Sequence, residues 1–283
     1  MSCIKNIIII HIMNENICSP SRQYKSRFTC FSNESLVKIA NAYNKKVNND
    51  DKIQIMDDSY KLYNNISKKL SRVCNNEICW AQQSFVKNIR DDEIENHTFK
   101  PNKPSGGKYQ WLSTIDIRDV LKQYERKFKN FTFLGPVPID FDDIHTEIGE
   151  INLKRLVKQK KNKMGIVFNL DKHNQSGSHW VALYFEFSNN RQEVNFFDSY
   201  GEPPHRRIKI LMDRLVKMGQ EQLNININQN INRTRMQFAN SECGVYSMNF
   251  ILHLLLGDSF EKTTSNITLD EEMNARRNLF FNS

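Results

Sequence analysis

From Cys243 to Gly257 the chain reads Cys-Gly-Val-Tyr-Ser-Met-Asn-Phe-Ile-Leu-His-Leu-Leu-Leu-Gly, apolar on nearly every side. The run is too long for an ordinary strand, so it predicts a helix ending at Gly257. A helix without a polar face has to be wrapped by the rest of the fold. Cys243 then opens a central buried helix, where the peptide dipoles favour thiolate over thiol.

The wrapping material precedes it. Gly165–Leu170, Trp180–Phe187 and Glu193–Asp198 are short β-branched and aromatic runs separated by Gly, Ser and Asn, which predict strands of one sheet. Asp116–Phe128 carries Ile117, Val120, Leu121 and Tyr124 at spacings of three and four and predicts an amphipathic helix. A second helix is expected from Arg206 to Leu223, and a further strand from Leu223 to Ile227. Helices flanking a sheet give the α+β class.

Residues 1–97 are rich in Asn, Lys and Ser, with interrupted helical periodicity at Leu36, Ile39, Ala40, Tyr43 and again at Tyr60, Tyr63, Ile66, Leu70. They predict a small helical arm domain. The breaker-rich stretch Lys100-Pro-Asn-Lys-Pro-Ser-Gly-Gly107 separates it from a core domain over residues 98–283. Its Gly106-Gly107 pair reads as a hinge, with self-cleavage there as the alternative.

With 283 residues, 39% hydrophobic and 25% charged, the chain has material for a sizeable core and is neither a disulfide miniprotein nor a disordered polymer. A formal charge of +8 favours acidic partners without identifying them. The apolar start, Ile7–Ile10 with Ile12 and Met13, falls far short of the roughly 20 residues of a membrane span and lacks a leader's cleavage site. It is expected to be buried, with no membrane association.

Five of the six cysteines lie in the first 79 residues, which isolates Cys243. Cys74 and Cys79 lack the second close pair that would complete a zinc site, so they are expected to be structural thiols, in a reducing intracellular compartment. No metal and no cofactor are expected.

A nucleophilic Cys243 needs an imidazole partner. His179, where a Gly/Ser loop enters a predicted strand, is the leading candidate, with His173 and His205 as rivals. Asp198, nineteen residues on, ends the next predicted strand, and antiparallel pairing would bring it to His179 as the group that orients the ring. Asp171 is its rival. Gln237, six residues before Cys243, offers an amide for the oxyanion beside the Cys243 backbone N–H.

The ordered set His179-Trp180, Asp198 and Gln237-Phe-Ala-Asn-Ser-Glu-Cys243-Gly244, with Trp111-Leu112 upstream, resembles the cysteine peptidases that include adenovirus proteinase and the SUMO-specific (Ulp/sentrin) proteases. A closer likeness is to the African swine fever virus type of polyprotein-processing protease of large DNA viruses. It rests on Ser241–Ser247, Gly177–Ala182 and a helical arm before the core. The resemblance implies a papain-like or Ulp-like core and cleavage of viral structural precursors after Gly-Gly during virion maturation, in the host cytoplasm and the virion.

In relatives that cut after Gly-Gly, two tryptophans flank a tunnel that glycine alone threads, and Trp111 and Trp180 match them. Two indoles leave no volume for a Cβ. Ser113-Thr114 stands where SUMO proteases have Asn-Asp, which disfavours a ubiquitin-like globular partner.

Two other functions remain open. One is a SUMO or ubiquitin-like isopeptidase. The other is a non-enzymatic, basic nucleic-acid-binding virion protein, to which the run Lys154–Lys163 would contribute six positive charges in ten residues. That run reads otherwise as a solvated face.

Overall fold

A computed structural model describes residues 17–22, 28–144 and 147–282. The apolar Ile7–Met13 segment and Cys3 lie outside the described residues. The chain divides into two compact units: residues 1–102 with 281–283, and residues 103–280.

The first unit is helical. Ser32 caps α1 (Asn33–Asn44), and Asp58 caps α2 (Ser59–Leu70) by accepting from the backbone N–H groups of Tyr60 and Lys61. Three short helices follow: α3 (Glu77–Gln82), α4 (Ser84–Lys87) and α5 (Asp92–Asn96). Leu36, Ile39 and Ala40 of α1 meet Leu62, Ile66 and Leu70 of α2 around Trp80. In α2 the buried stripe is thus Leu62-Ile66-Leu70, while Tyr60 faces solvent.

The cysteines of this unit correct the expectation of structural thiols. Cys18 bonds Cys30, and Cys74 bonds Cys79, with Cα separations of 5.1 and 5.5 Å. Both separations sit in the range a disulfide needs, which spacing along the chain alone does not reveal. The ground for expecting a reducing compartment is thereby removed.

The second unit is built on a six-stranded mixed sheet. Its strands are β1 (Phe131–Phe133), β2 (Val137–Pro138), β3 (Lys163–Asn169), β4 (Trp180–Ser188), β5 (Arg191–Phe197) and β6 (Asn228–Ile231). The order is β1-β3-β4-β5-β6, with β2 also along β3. The β3–β4 and β4–β5 pairs are antiparallel, while β1 and β2 run parallel to β3 and β6 parallel to β5.

Alternate residues of β4 face opposite layers. Val181, Leu183 and Phe185 join Ile166, Phe168 and Phe196 against Ile208, Leu211, Met212 and Leu215 of α8 (Arg206–Met218). The other face takes α9 (Cys243–Leu255), of which every residue except His253 is buried. Phe250 of α9 stacks on Phe197 with centroids 4.7 Å apart, and Ser247 Oγ donates to the Trp180 carbonyl. Ahead of the sheet, α6 (Thr114–Lys127) starts with a capping box between Ser113 and Asp116. Short helices α7 (Leu153–Lys158), α10 (Phe260–Ser265), α11 (Asp270–Ala275) and α12 (Arg277–Phe280) complete the unit.

Two expectations shift. The helix from Arg206 ends at Met218 and passes into a π-helical turn to Leu223. The strand expected at Leu223–Ile227 lies instead at Asn228–Ile231, because Asn224 adopts a left-handed φ of 56° that no strand continues through. Leu223, Ile225 and Ile227 pack into the core without pairing in the ladder. Among the described residues no helix is long and apolar enough to cross a membrane.

Candidate active site

Strand pairing assembles the first two groups. The β4–β5 register sets Ala182 opposite Phe197, so that, continued past the strand ends, it brings the start of β4 to the end of β5. His179 immediately precedes β4 and Asp198 immediately follows β5. His179 Nε2 lies 2.7 Å from Asp198 Oδ1, and both residues are buried. Asp198 is itself held: Oδ1 accepts the Tyr200 backbone N–H at 2.8 Å, and its carbonyl accepts from Asn232 Nδ2 at 2.8 Å.

Because Nε2 is engaged by the carboxylate, Nδ1 is the ring nitrogen left for Cys243, with which His179 is hydrogen-bonded. Burial alone would lower the His179 pKa. The hydrogen bonds to Asp198 and Cys243, with their charges, outweigh it and raise the value to about 9. The imidazolium form that partners a thiolate is thus strongly favoured.

Cys243 is the first residue of α9, buried, and the free cysteine among the described residues. The Glu242 side chain makes no helix cap, so it leaves the first-turn N–H groups uncovered. It is drawn instead into an ion pair with Arg277, reinforced by Asn274 and Ser241. Gly244 follows for a steric reason: a Cβ there would come within 3.2 Å of Cβ of Leu112, the residue whose carbonyl holds Trp180.

Gln237 is fully buried beside this helix start. Its Oε1 accepts from Ser199 Oγ at 2.6 Å, and one Nε2 proton goes to the Ala239 carbonyl at 2.8 Å, which fixes the amide and leaves its second proton. The Met236 and Gln237 N–H groups both donate to the Ser199 carbonyl. Asp270 Oδ2 accepts the Phe238 and Ala239 N–H groups. The loop carrying Gln237 is therefore clamped from both ends. Gly201, at φ +75°, lets the turn after Asp198 touch the backbone of Arg233–Arg235, where a Cβ would lie 2.9 Å from main-chain atoms.

Trp111 and Trp180 line one cleft of about 460 Å³, with Leu112, Ser113, Pro136, Asn169 and Gly177. Trp180 is buried and donates Nε1–H to the Leu112 carbonyl at 2.9 Å, whereas Trp111 is 42% exposed.

The rival residues do not join the His179–Asp198 pair, although His173 and Asp171 also line the Trp111–Trp180 cleft. His173 Nδ1 pairs with Asp140, His205 caps α8, and Asp171 accepts from Ser178 and Gly177 within their loop. Tyr200 was not foreseen in the sequence. It stacks on His179 with centroids 4.6 Å apart, and its position two residues past Asp198 in an antiparallel pairing was the available signal. Asp270, Asn274 and Arg277 carried no such signal. Among the described residues no cluster of three or more His, Cys, Asp or Glu side chains is arranged to hold a metal.

Chemically, the sulfur can attack an amide carbonyl, Gln237 and the Cys243 N–H can receive the oxyanion, and His179 can protonate the leaving amine.

Comparison with known proteins finds similar chains among the cysteine proteases. The putative thiol protease R355 of Acanthamoeba polyphaga mimivirus is 33% identical over 94% of the chain and 93% of its own length. A SUMO-1 cysteine protease of African swine fever virus is 24% identical over 74% of the chain and 83% of its own length. A crystal structure of the African swine fever virus protease superposes with a TM-score of 0.72 at 20% identity, covering 94% of this chain and 96% of that one. It shows the same fold. The model of the YopJ Serine/Threonine acetyltransferase family also matches, over residues 99–278.

Proposed function

The chain belongs to the thiol-protease family of mimivirus R355 and, over residues 99–278, to the family of the YopJ Serine/Threonine acetyltransferase model, and from that premise we propose that this viral-type cysteine protease cleaves structural precursor proteins after Gly-Gly, at Gly-Gly-Xaa sites, during virion maturation. The observation that carries the substrate reading is the cleft shared by Trp111 and Trp180, of which Trp180 is the chain neighbour of His179. Two indole walls favour an extended backbone without side chains, and glycine alone supplies one. The place of action is the host cytoplasm and the virion.

The working sequence is attack by the Cys243 thiolate on the second glycine's carbonyl, protonation of the departing amine by His179, and hydrolysis of the resulting thioester. Asp198 holds the ring throughout. Purified protein on a Gly-Gly-Xaa peptide, with Cys243→Ala alongside, tests the reading. Turnover that is equal in the two proteins, or indifferent to replacing the second glycine by alanine, removes it.

A SUMO or ubiquitin-like conjugate is the alternative substrate, in keeping with the name of the African swine fever virus relative. Release of a SUMO or ubiquitin C-terminal reporter without cutting of short peptides would favour it. Acetyl transfer is the second reading, raised by the YopJ family match. The same thiolate forms an acyl-thioester, and a hydroxyl in place of water would then take the acyl group; acetylation of a protein from an acetyl thioester, with no peptide hydrolysis, would favour it. Weak nucleic-acid contact through residues 154–163 rests on Lys154, Lys158 and Lys160, which are exposed. Lys161 and Lys163 of that run are engaged with the Phe131 carbonyl and Glu186.

A further inference from the structure

Beyond the cleft, the catalytic ring is the first rung of a ladder. Tyr200 stacks on His179, and the Arg235 guanidinium lies over Tyr200 at 5.3 Å and over Phe238 at 5.2 Å, so the cation is held between two rings. Arg235 Nε donates to the Gln237 carbonyl at 3.0 Å, which ties the guanidinium to the oxyanion loop. Gly201 keeps the Arg235 backbone against the turn that carries Tyr200.

The side chain is exposed, and among the described residues no carboxylate pairs with it. Phe238 is 65% exposed, a large apolar surface left to solvent apart from its contact with Arg235. A solvent-facing arginine with its planar fork fixed in advance loses little entropy on binding a carboxylate, and its Nη donors suit a bidentate contact.

The Trp111–Trp180 cleft is lined by none of Cys243, His179 and Gln237 and by none of the ladder residues, so the ladder adjoins the catalytic ring and the oxyanion loop rather than the cleft. In the protease reading the acyl half of the substrate occupies that cleft, and the leaving amine departs past His179, the ring that protonates it. The ladder starts on that same ring. We propose that Tyr200, Arg235 and Phe238 form a leaving-group subsite that binds an acidic side chain within the first few residues after the scissile bond. The assignment rests on the protease reading, and it adds the leaving-side specificity that the two tryptophans do not supply.

The test is a peptide library randomised on both sides of the cut, with cleavage sites read by mass spectrometry for wild type, Arg235→Gln and Arg235→Glu, each checked for an unchanged melting transition. Wild type should enrich Asp and Glu over Lys on the leaving side by about tenfold. Arg235→Gln should flatten that preference, Arg235→Glu should invert it toward Lys and Arg, and the residues selected on the acyl side should stay the same in all three. Identical leaving-side profiles in wild type and Arg235→Glu overturn the subsite, as does a wild type that cuts nothing in the library. Loss of the Gly-Gly preference with an inverted leaving-side profile would overturn the acyl-side reading and leave Arg235 standing. If Arg235→Glu does not fold, Phe238→Ala, which unpins the guanidinium, should weaken the acidic preference, and an unchanged profile there counts against the subsite.

Discussion

Glu242, the residue before Cys243, is ion-paired to Arg277 at 2.9 Å, with side-chain exposures of 1% and 2%. Glu242 Oε1 also accepts from Asn274 Nδ2 and Ser241 Oγ, so a buried network fixes the first turn of α9 to the last helices of the unit. Removing the cation strands a desolvated carboxylate. Arg277→Met is expected to destabilise the protein by about 3–5 kcal/mol, and pairing it with Glu242→Leu should recover part of that loss. Urea denaturation of the two single variants and the double variant measures the coupling; strictly additive losses would count against it.

Cys243→Ala is expected to abolish peptide cleavage while preserving the fold. Gln237→Ala should lower kcat by about 10²–10³ with a smaller change in KM, because the amide serves charge that develops after binding. Steady-state kinetics separate the two parameters. A Gln237→Ala enzyme with normal kcat would remove the oxyanion role.

The raised His179 value sets the alkaline limit. The ordinary value is 6.5, and the folded one is about 9, so the imidazolium persists well past neutrality and is lost as pH rises through about 9. Its contribution to folding stability has the same sign: fully present below about 6.5 and lost through about 9. The kcat/KM profile should therefore fall on that alkaline limb. Asp198→Asn takes away the hydrogen-bonded carboxylate, so the limb should move down by about one unit or more, with kcat reduced about 10²–10⁴-fold. An unmoved limb in this variant would assign it to another group.

The two tryptophans should respond differently. Trp111 is 42% exposed, and Trp111→Ala should leave the fold intact while admitting alanine in place of the second glycine. Trp180 is buried and hydrogen-bonded to Leu112, so Trp180→Ala should cost about 3–5 kcal/mol of stability besides any change in selectivity. Thermal melts and a Gly-Gly against Gly-Ala substrate pair report the two effects. Trp111→Ala that remains strictly glycine-dependent would show that the cleft does not select.

Much of the core was legible because it depends on period and short-range spacing. The buried α9, the strands β3 to β5, the body of α6 and the His179–Asp198 pairing follow from apolar patterning and one antiparallel turn. The strand after α8 was misplaced by several residues: Leu223, Ile225 and Ile227 alternate as a strand does, yet they pack as core while the more polar Asn228–Ile231 takes the ladder. The disulfides were missed because pairing depends on distances between Cα atoms that no residue count supplies.

By itself the sequence determined which chemistry was present and in what order: a thiol opening an apolar helix, an imidazole before a strand, a carboxylate after the next and an amide six residues before the thiol. Periodicity is a local property, and hydrogen-bonded strands carry it into space with little freedom. What only the tertiary structure decided was which histidine is paired with which aspartate, that Asp270 holds the Gln237 loop and Asn274 and Arg277 hold Glu242 from more than thirty residues away, and that Tyr200 stacks on His179 with Arg235 above it. Those contacts join residues distant in the chain, and solvation and packing select them only after the sheet has closed around α9.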